Sequence, residues 1–125
     1  MPHVYSETVL DHFRHPRNVG CLEGADAVVG RAENSACGDR LDLYLRIREG
    51  RIVQASFRSF GCTAAIAAGS CLTEMLAGVT LSEAEAIRKE DVARTLGGLP
   101  PLKVHCSVLA EDAVRAALAQ FRSRS

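Results

Sequence analysis

Apolar positions along this chain follow first a helical, then an alternating, then again a helical spacing. Tyr5 to Arg14 reads as a short helix, closed off before Pro16 and Gly20. In Leu41-Asp42-Leu43-Tyr44-Leu45-Arg46-Ile47-Arg48 apolar side chains alternate with mostly polar ones, and from Ile52 to Phe60 the same alternation resumes with Val53, Ala55 and Phe57 on one face. Both segments are therefore predicted strands. Glu49-Gly50-Arg51 reads as the turn of a β-hairpin between them, and Ala27 to Ala32 supplies a third strand. After Cys62 the period lengthens, with Ala65, Gly69, Leu72 and Leu76 at helical spacing until Gly78. Ser82-Glu83-Ala84-Glu85 resembles a capping box opening a short helix, and Asp91 to Leu96 forms another before Gly97-Gly98. The last helix is predicted from about Ser107 to Phe121, with Ala110, Val114, Ala117, Leu118 and Phe121 inward and Glu111 paired with Arg115 outside. The fold class is α+β: a small three-stranded antiparallel sheet packed against several helices.

No linker, low-complexity run or internal repeat divides the chain, and its 125 residues suffice for one core and not for two. Residues 1–125 are read as a single domain. Lys+Arg and Asp+Glu are equal at 15 each, so no net field draws it to nucleic acid or an anionic membrane. The longest stretch without a charged residue, Ser59 to Thr73, contains Gly, Ser and Thr and is too short for a membrane span of about 20 residues. Met1-Pro2-His3-Val4-Tyr5-Ser6-Glu7 has neither a basic start nor an apolar secretory segment, so a cytoplasmic location is expected. Five cysteines is an odd count, which favours reduced thiols over a complete disulfide framework.

Three of those cysteines stand in distinctive surroundings: Cys37 in Ala36-Cys37-Gly38-Asp39, Cys62 in Phe60-Gly61-Cys62-Thr63, and Cys106 in Lys103-Val104-His105-Cys106. With Asp39 and His105 they make five soft or borderline ligands from three parts of the chain, a candidate metal or cluster site. Cys62 falls where a strand turns into a helix, and Cys106 directly precedes Ser107, a good N-cap type, so both thiols are expected to feel a helix N-terminus that favours thiolate. Gly38 lets the backbone turn so that Cys37 and Asp39 face one point. The site is expected to be exposed at one end of the domain.

Ala-Cys-Gly-Asp at 36–39, Phe-Gly-Cys-Thr-Ala-Ala-Ile-Ala at 60–67, Leu-Pro-Pro-Leu-Lys-Val-His-Cys-Ser-Val-Leu-Ala-Glu-Asp-Ala at 99–113 and the opening His12-Phe13-Arg14-His15-Pro16-Arg17-Asn18-Val19-Gly20 resemble the IscU family of iron-sulfur scaffold proteins and the amino-terminal domain of NifU. The resemblance spans almost the whole chain and implies the SufE/NifU fold. It also implies a scaffold on which a transient 2Fe-2S cluster is assembled and then passed to recipient apo-proteins. Cys37, Cys62 and Cys106 would be ligands, His105 or Asp39 would supply or modulate the fourth, and Cys106 would accept persulfide from a cysteine desulfurase. Asp39 would keep the cluster labile, because a carboxylate is a harder ligand than a thiolate. Iron would be the metal of the assembled cluster, and zinc can occupy scaffolds of this family when they hold no cluster. Leu99-Pro100-Pro101-Leu102-Lys103 resembles the segment gripped by a DnaK-like chaperone with its J-type co-chaperone; paired prolines would hold extended backbone beside exposed leucines there. Frataxin-like and ferredoxin partners are implied as well.

The chain keeps the Lys-x-His-Cys pattern that the related SufU branch lacks, and it is expected to work without the further cluster-binding domains of full NifU. Cys21 and Cys71 lie outside the three-cysteine pattern. Nine residues after Cys62, Cys71 would sit about 13.5 Å along a helix and on its far side, so it is assigned to the core, and Cys21 to a structural or exposed position. His12 and His15 are read as surface or helix-end residues rather than ligands. The rival reading is a zinc-binding structural or regulatory module, since Cys3His and Cys3Asp shells suit tetrahedral zinc. A dithiol oxidoreductase lacks its C-x-x-C, and a cysteine hydrolase would need a base aimed at its thiol, which adjacent His105 and Cys106 do not ordinarily provide.

Overall fold

The computed structural model describes residues 5–34, 38–100 and 103–124. Strands β1 (Ala27–Asn34), β2 (Asp39–Arg48) and β3 (Arg51–Phe60) form one antiparallel sheet in that order, with Leu43 opposite Gly30 on one side and Phe57 on the other. The hairpin turn is tighter than the three residues expected, because Arg48 already pairs with Arg51. Glu49 and Gly50 alone make it, both at positive φ (53° and 74°), the backbone of a two-residue turn whose twist matches that of the strands.

One face of the sheet is covered by two helices. Helix α5 (His105–Ser123) lies on β1 and β2, and α2 (Thr63–Leu76) lies on β3 and against α5. Between them Leu41, Leu43, Leu45, Ile52 and Phe57 meet Ala64, Leu72, Leu76, Leu109 and Val114, all at most 3% exposed. Each large side chain buried this way stabilises the fold by about 1.5–3 kcal/mol. Gly30 sets how near α5 can come: a Cβ there would stand 2.2 Å from Ala113 O and 2.3 Å from Ala117 N. Short helices α3 (Leu81–Glu85) and α4 (Lys89–Thr95) follow α2 and pack on α5.

Helix α1 (Glu7–Arg14) starts at Ser6, whose Oγ accepts from the Val9 N–H, and docks on the outside of α2 through Val9 and His12. His12, expected at the surface or a helix end, does lie in the last turn of α1 but is only 6% exposed, with Nδ1 2.7 Å from Ser70 Oγ and Nε2 3.4 Å from Glu74 Oε1. Burial, then the Arg17 cation, pushes its pKa below the ordinary imidazole value.

Four helix starts differ from their predicted places: α1 begins at Glu7 rather than Tyr5 and α4 at Lys89 rather than Asp91, and α3 and α5 also start earlier. The capping box of α3 is built on Thr80, which accepts from the Glu83 N–H while Glu83 accepts from the Thr80 N–H, and Ser82 lies within the helix. The partner of a capping glutamate stands three residues before it, so Glu83 selects Thr80. Helix α5 begins at His105, and Ser107 sits in its first turn with Oγ donating to Val104 O. Both margins of the sheet carry other partners. The Val29 N–H donates to Gln120 Oε1 of α5, and Arg124 Nη1, from the residue that follows α5, donates to Ala27 O. At β3, Phe57 exchanges backbone bonds with Asn18 and Gly20, and Ile52 with Gly78 and Val79. No described helix is long and apolar enough to cross a membrane.

Candidate metal centre

Three elements present their ends to one point. Asp39 is the first residue of β2, Cys62 occupies the position before α2, and His105 and Cys106 are the first two residues of α5. Cys62 Sγ lies 3.7 Å from Cys106 Sγ and 3.8 Å from Asp39 Oδ2, and His105 Nε2 is hydrogen-bonded to the same Oδ2 at 2.9 Å. Donor atoms of Asp39, Cys62 and Cys106 all lie within 4.8 Å of one another. Four of the five candidate ligands are therefore gathered. The fifth, Cys37, lies outside the described residues, as do Pro101 and Leu102 of the 99–103 segment.

The strand-to-helix corner explains how the carboxylate reaches the thiol. Gly61 backs directly onto Asp39: a Cβ at that position would stand 2.4 Å from Asp39 Oδ1. Only a residue without a side chain lets the carboxylate lie across the start of α2. Gly38 adopts φ 74°, the sharp turn its place before Asp39 suggested. Nothing but the glycine in Phe60-Gly61-Cys62 signalled the first of these roles.

Exposure differs from expectation. Asp39 is 6% exposed and Cys106 0%, while Cys62 and His105 are half-buried. The cause is the earlier start of α5, which places Cys106 inside a helical turn packed on the core rather than in a loop ahead of it. Thiolate is not favoured at Cys106 either: burial, then the neighbouring Cys62 thiol, raises its pKa well above the usual thiol range, outweighing the helix N-terminus. Lys103 gains a second relation to the site beyond its place in the 99–103 segment. Its pKa is raised by the Cys62 sulfur first and Tyr5 next, with Cys106 and Asp39 adding to the effect. In the same segment Leu99 is half-buried and packs against the core, not exposed as expected, and the Lys103 N–H donates to Pro100 O.

Two open recesses flank the donors, one bordered by Gly38, Asp39, Arg40 and Phe60, the other by His105, Val108 and Asp112. At the rim of the first, the guanidinium groups of Arg40 and Arg58 lie 5.0 and 5.3 Å from the centroid of the Phe60 ring. The remaining cysteines stand apart. Cys71 is buried in α2, and Cys21 is exposed with Arg58 Nη1 3.8 Å from its sulfur.

Thiolates at about 2.3 Å from one tetrahedral metal stand about 3.8 Å apart. The Cys62–Cys106 separation of 3.7 Å meets that spacing, with a carboxylate and an imidazole beside it, so the residues present fit a thiophilic metal.

Residues 4–125 match the family model described as NifU-like N terminal domain. The iron-sulfur cluster assembly scaffold protein IscU of Escherichia coli (strain K12) is 46% identical over 124 residues, covering 97% of this chain and 96% of that protein. An iron-sulfur cluster assembly scaffold protein IscU of Archaeoglobus fulgidus is 48% identical over 118 residues, covering 94% of this chain and 76% of its own length. Among solved structures, a nitrogen-fixing NifU-like protein (N-terminal) from Brucella abortus superposes with a TM-score of 0.77 at 20% identity, covering 98% of this chain and 96% of that one. A putative iron-sulfur cluster assembly scaffold protein for the SUF system from Fervidobacterium islandicum gives 0.73 at 23% identity, covering 92% and 96%. At such identities these two show the fold.

Proposed function

This chain belongs to the family of NifU-like N-terminal domains, and from that premise we propose that it is a scaffold on which an iron-sulfur cluster is assembled and from which it is handed to recipient proteins. The observation that carries the reading is the convergence of the Cys62 and Cys106 sulfurs with the Asp39 carboxylate and the His105 imidazole from three elements. Iron and sulfur are cargo here, and the protein is their carrier, not a catalyst with turnover of its own.

Within this reading the cargo is a labile 2Fe-2S cluster held by Cys37, Cys62 and Cys106, with Asp39 or His105 completing the shell. A shell that mixes thiolates with a carboxylate holds iron less firmly than thiolates alone, which suits release. Cys106 takes persulfide sulfur from a cysteine desulfurase. Because Cys106 lies closed behind Cys62 at 0% exposure, the first turn of α5 shifts when the donor docks. Lys103 supplies positive charge beside the sulfurs, which favours their anionic forms. The 99–103 segment leads straight into His105 and Cys106, so a DnaK-like chaperone that grips it, assisted by its J-type co-chaperone, pulls on two donor positions together. A frataxin-like protein and a ferredoxin are further partners, and the place of work is the cytoplasm.

The spacing of the two sulfurs also supports tetrahedral zinc bound by Cys62 and Cys106 in the cluster-free protein. The deciding experiment incubates reduced, metal-free protein anaerobically with iron, cysteine and a cysteine desulfurase, then adds an apo-ferredoxin. Visible 2Fe-2S bands that need Cys37, Cys62 and Cys106 and then pass to ferredoxin are expected. No cluster, together with tight zinc uptake, makes the protein a zinc module instead.

A further inference from the structure

Cys62 and Cys106 are both free thiols, and their sulfurs stand 3.7 Å apart. They differ in access: Cys62 is half-buried at the corner before α2, and Cys106 is sealed at 0% exposure. That arrangement is the one a two-step thiol–disulfide exchange requires, an outer sulfur that a small reagent can reach and an inner sulfur within reach of the first. The two side chains need to close by less than 2 Å to reach an S–S bond of about 2.05 Å.

We propose that Cys62 and Cys106 form a redox latch, in which a low-molecular-weight disulfide oxidises the cluster-free protein to an internal Cys62–Cys106 disulfide that closes the centre to metal. In the first step the Cys62 thiolate attacks one sulfur of the reagent. A mixed disulfide forms, the reagent's S–S bond breaks, and one small thiolate leaves. In the second step the Cys106 sulfur attacks Cys62 Sγ, the second small thiolate leaves with the bonding pair, and it takes up the Cys106 proton. Two protein thiols are oxidised, one small disulfide is reduced to two thiols, and no other oxidant enters. Both sulfurs are then consumed as ligands, because metal binding requires thiolate. The bond depends only on the two sulfurs and their access. Its consequence for metal rests on the reading of the centre given above.

The test uses full-length protein carrying Cys21→Ser, which removes the exposed thiol remote from the centre. The reduced, metal-free protein is treated with oxidised glutathione and mapped by mass spectrometry, then titrated with Co²⁺ while the thiolate-to-cobalt absorption is followed. Expected are a protein lighter by two hydrogens with Cys62 and Cys106 peptides joined, a roughly tenfold or greater fall in cobalt absorption, and full recovery with dithiothreitol. A Cys106→Ser variant should stop at a stable glutathione adduct on Cys62. The latch is overturned if the wild-type pair also stops at that adduct, or if Cys62 joins Cys37 instead, while cobalt uptake by reduced protein leaves the metal reading intact. A joined pair with undiminished cobalt absorption overturns both the latch and that reading. Reduced protein that takes up no cobalt through Cys62 and Cys106 sinks the metal reading by itself, and with it the latch's effect on metal.

Discussion

Gly61 is the residue on which the position of the carboxylate turns. Any Cβ there would intrude to 2.4 Å from Asp39 Oδ1, and the carboxylate has to swing away from Cys62 and His105 to avoid it. Gly61→Ala is therefore expected to weaken zinc or cobalt binding about 10- to 100-fold, the range seen when groups that orient a ligand are disturbed. Competition with a chromogenic chelator measures it, and an unchanged circular dichroism spectrum separates the effect from unfolding. Single cysteines are also ranked by their surroundings. The Tyr44 hydroxyl and then Arg58 lower the pKa of exposed Cys21, whereas burial pushes the Cys71 thiol up to about 11. Near neutral pH, iodoacetamide should modify Cys21 well before Cys71, Tyr44→Phe and Arg58→Gln should each slow the Cys21 reaction, and Cys71 should react only when the protein is unfolded. Time-resolved peptide mapping reads all of these; early labelling of Cys71 in folded protein would contradict the packing of α2.

At the scale of elements, the docking of α1 on α2 has a pH dependence whose sign follows from His12. Its folded pKa is lowered, so between that lowered value and the ordinary value near 6.5 the unfolded chain holds more protons than the folded one. Stability from this contact is complete above 6.5, declines as pH falls below it, and levels off once the folded imidazole is itself protonated. Urea midpoints at about pH 7.5 and about pH 5.5 should differ accordingly. His12→Gln should cost about 1–2 kcal/mol at neutral pH through the altered bond to Ser70 and should flatten the difference. This contact was not legible in the sequence, because Ser70 and Glu74 lie far along the chain and nothing local in α1 marks His12 as inward. The strands were legible, since alternation such as Leu41-Asp42-Leu43-Tyr44-Leu45 has one physical solution when one face is covered. The expected inward face of Val53, Ala55 and Phe57 was wrong at Val53: the bulge opposite Arg46 and Ile47 leaves it 48% exposed and buries Ile52 instead. Helix starts were legible only approximately. Ser107 has the chemistry of an N-cap, yet it lies inside the first turn with its hydroxyl bonded to Val104 O, and local preference yielded to the packing of α5 on the sheet.

For the whole molecule, the centre joins the start of the middle strand to the starts of the two covering helices. A metal held there binds the folded chain and not the unfolded one, so it should raise the melting temperature, by the equivalent of about 2.7 kcal/mol at a hundredfold excess over Kd. Differential scanning calorimetry with zinc and with chelator should show that rise, Cys106→Ser should abolish it, and Cys21→Ser should preserve it. Which residues gather at the centre was readable from the motifs around Cys62 and Cys106. How deep they lie was not, because depth comes from the approach of α5 to β1 that Gly30 permits and from the two helical residues added before Ser107. The far end of α5 has its own consequence. Gln120 and Arg124 occupy backbone groups of Val29 and Ala27, while residues 18–20 and 78–79 do the same along β3, so the sheet is interrupted at both borders. The sheet thereby presents little continuous ribbon for a neighbouring copy to extend, and fibril growth by strand addition is denied its template.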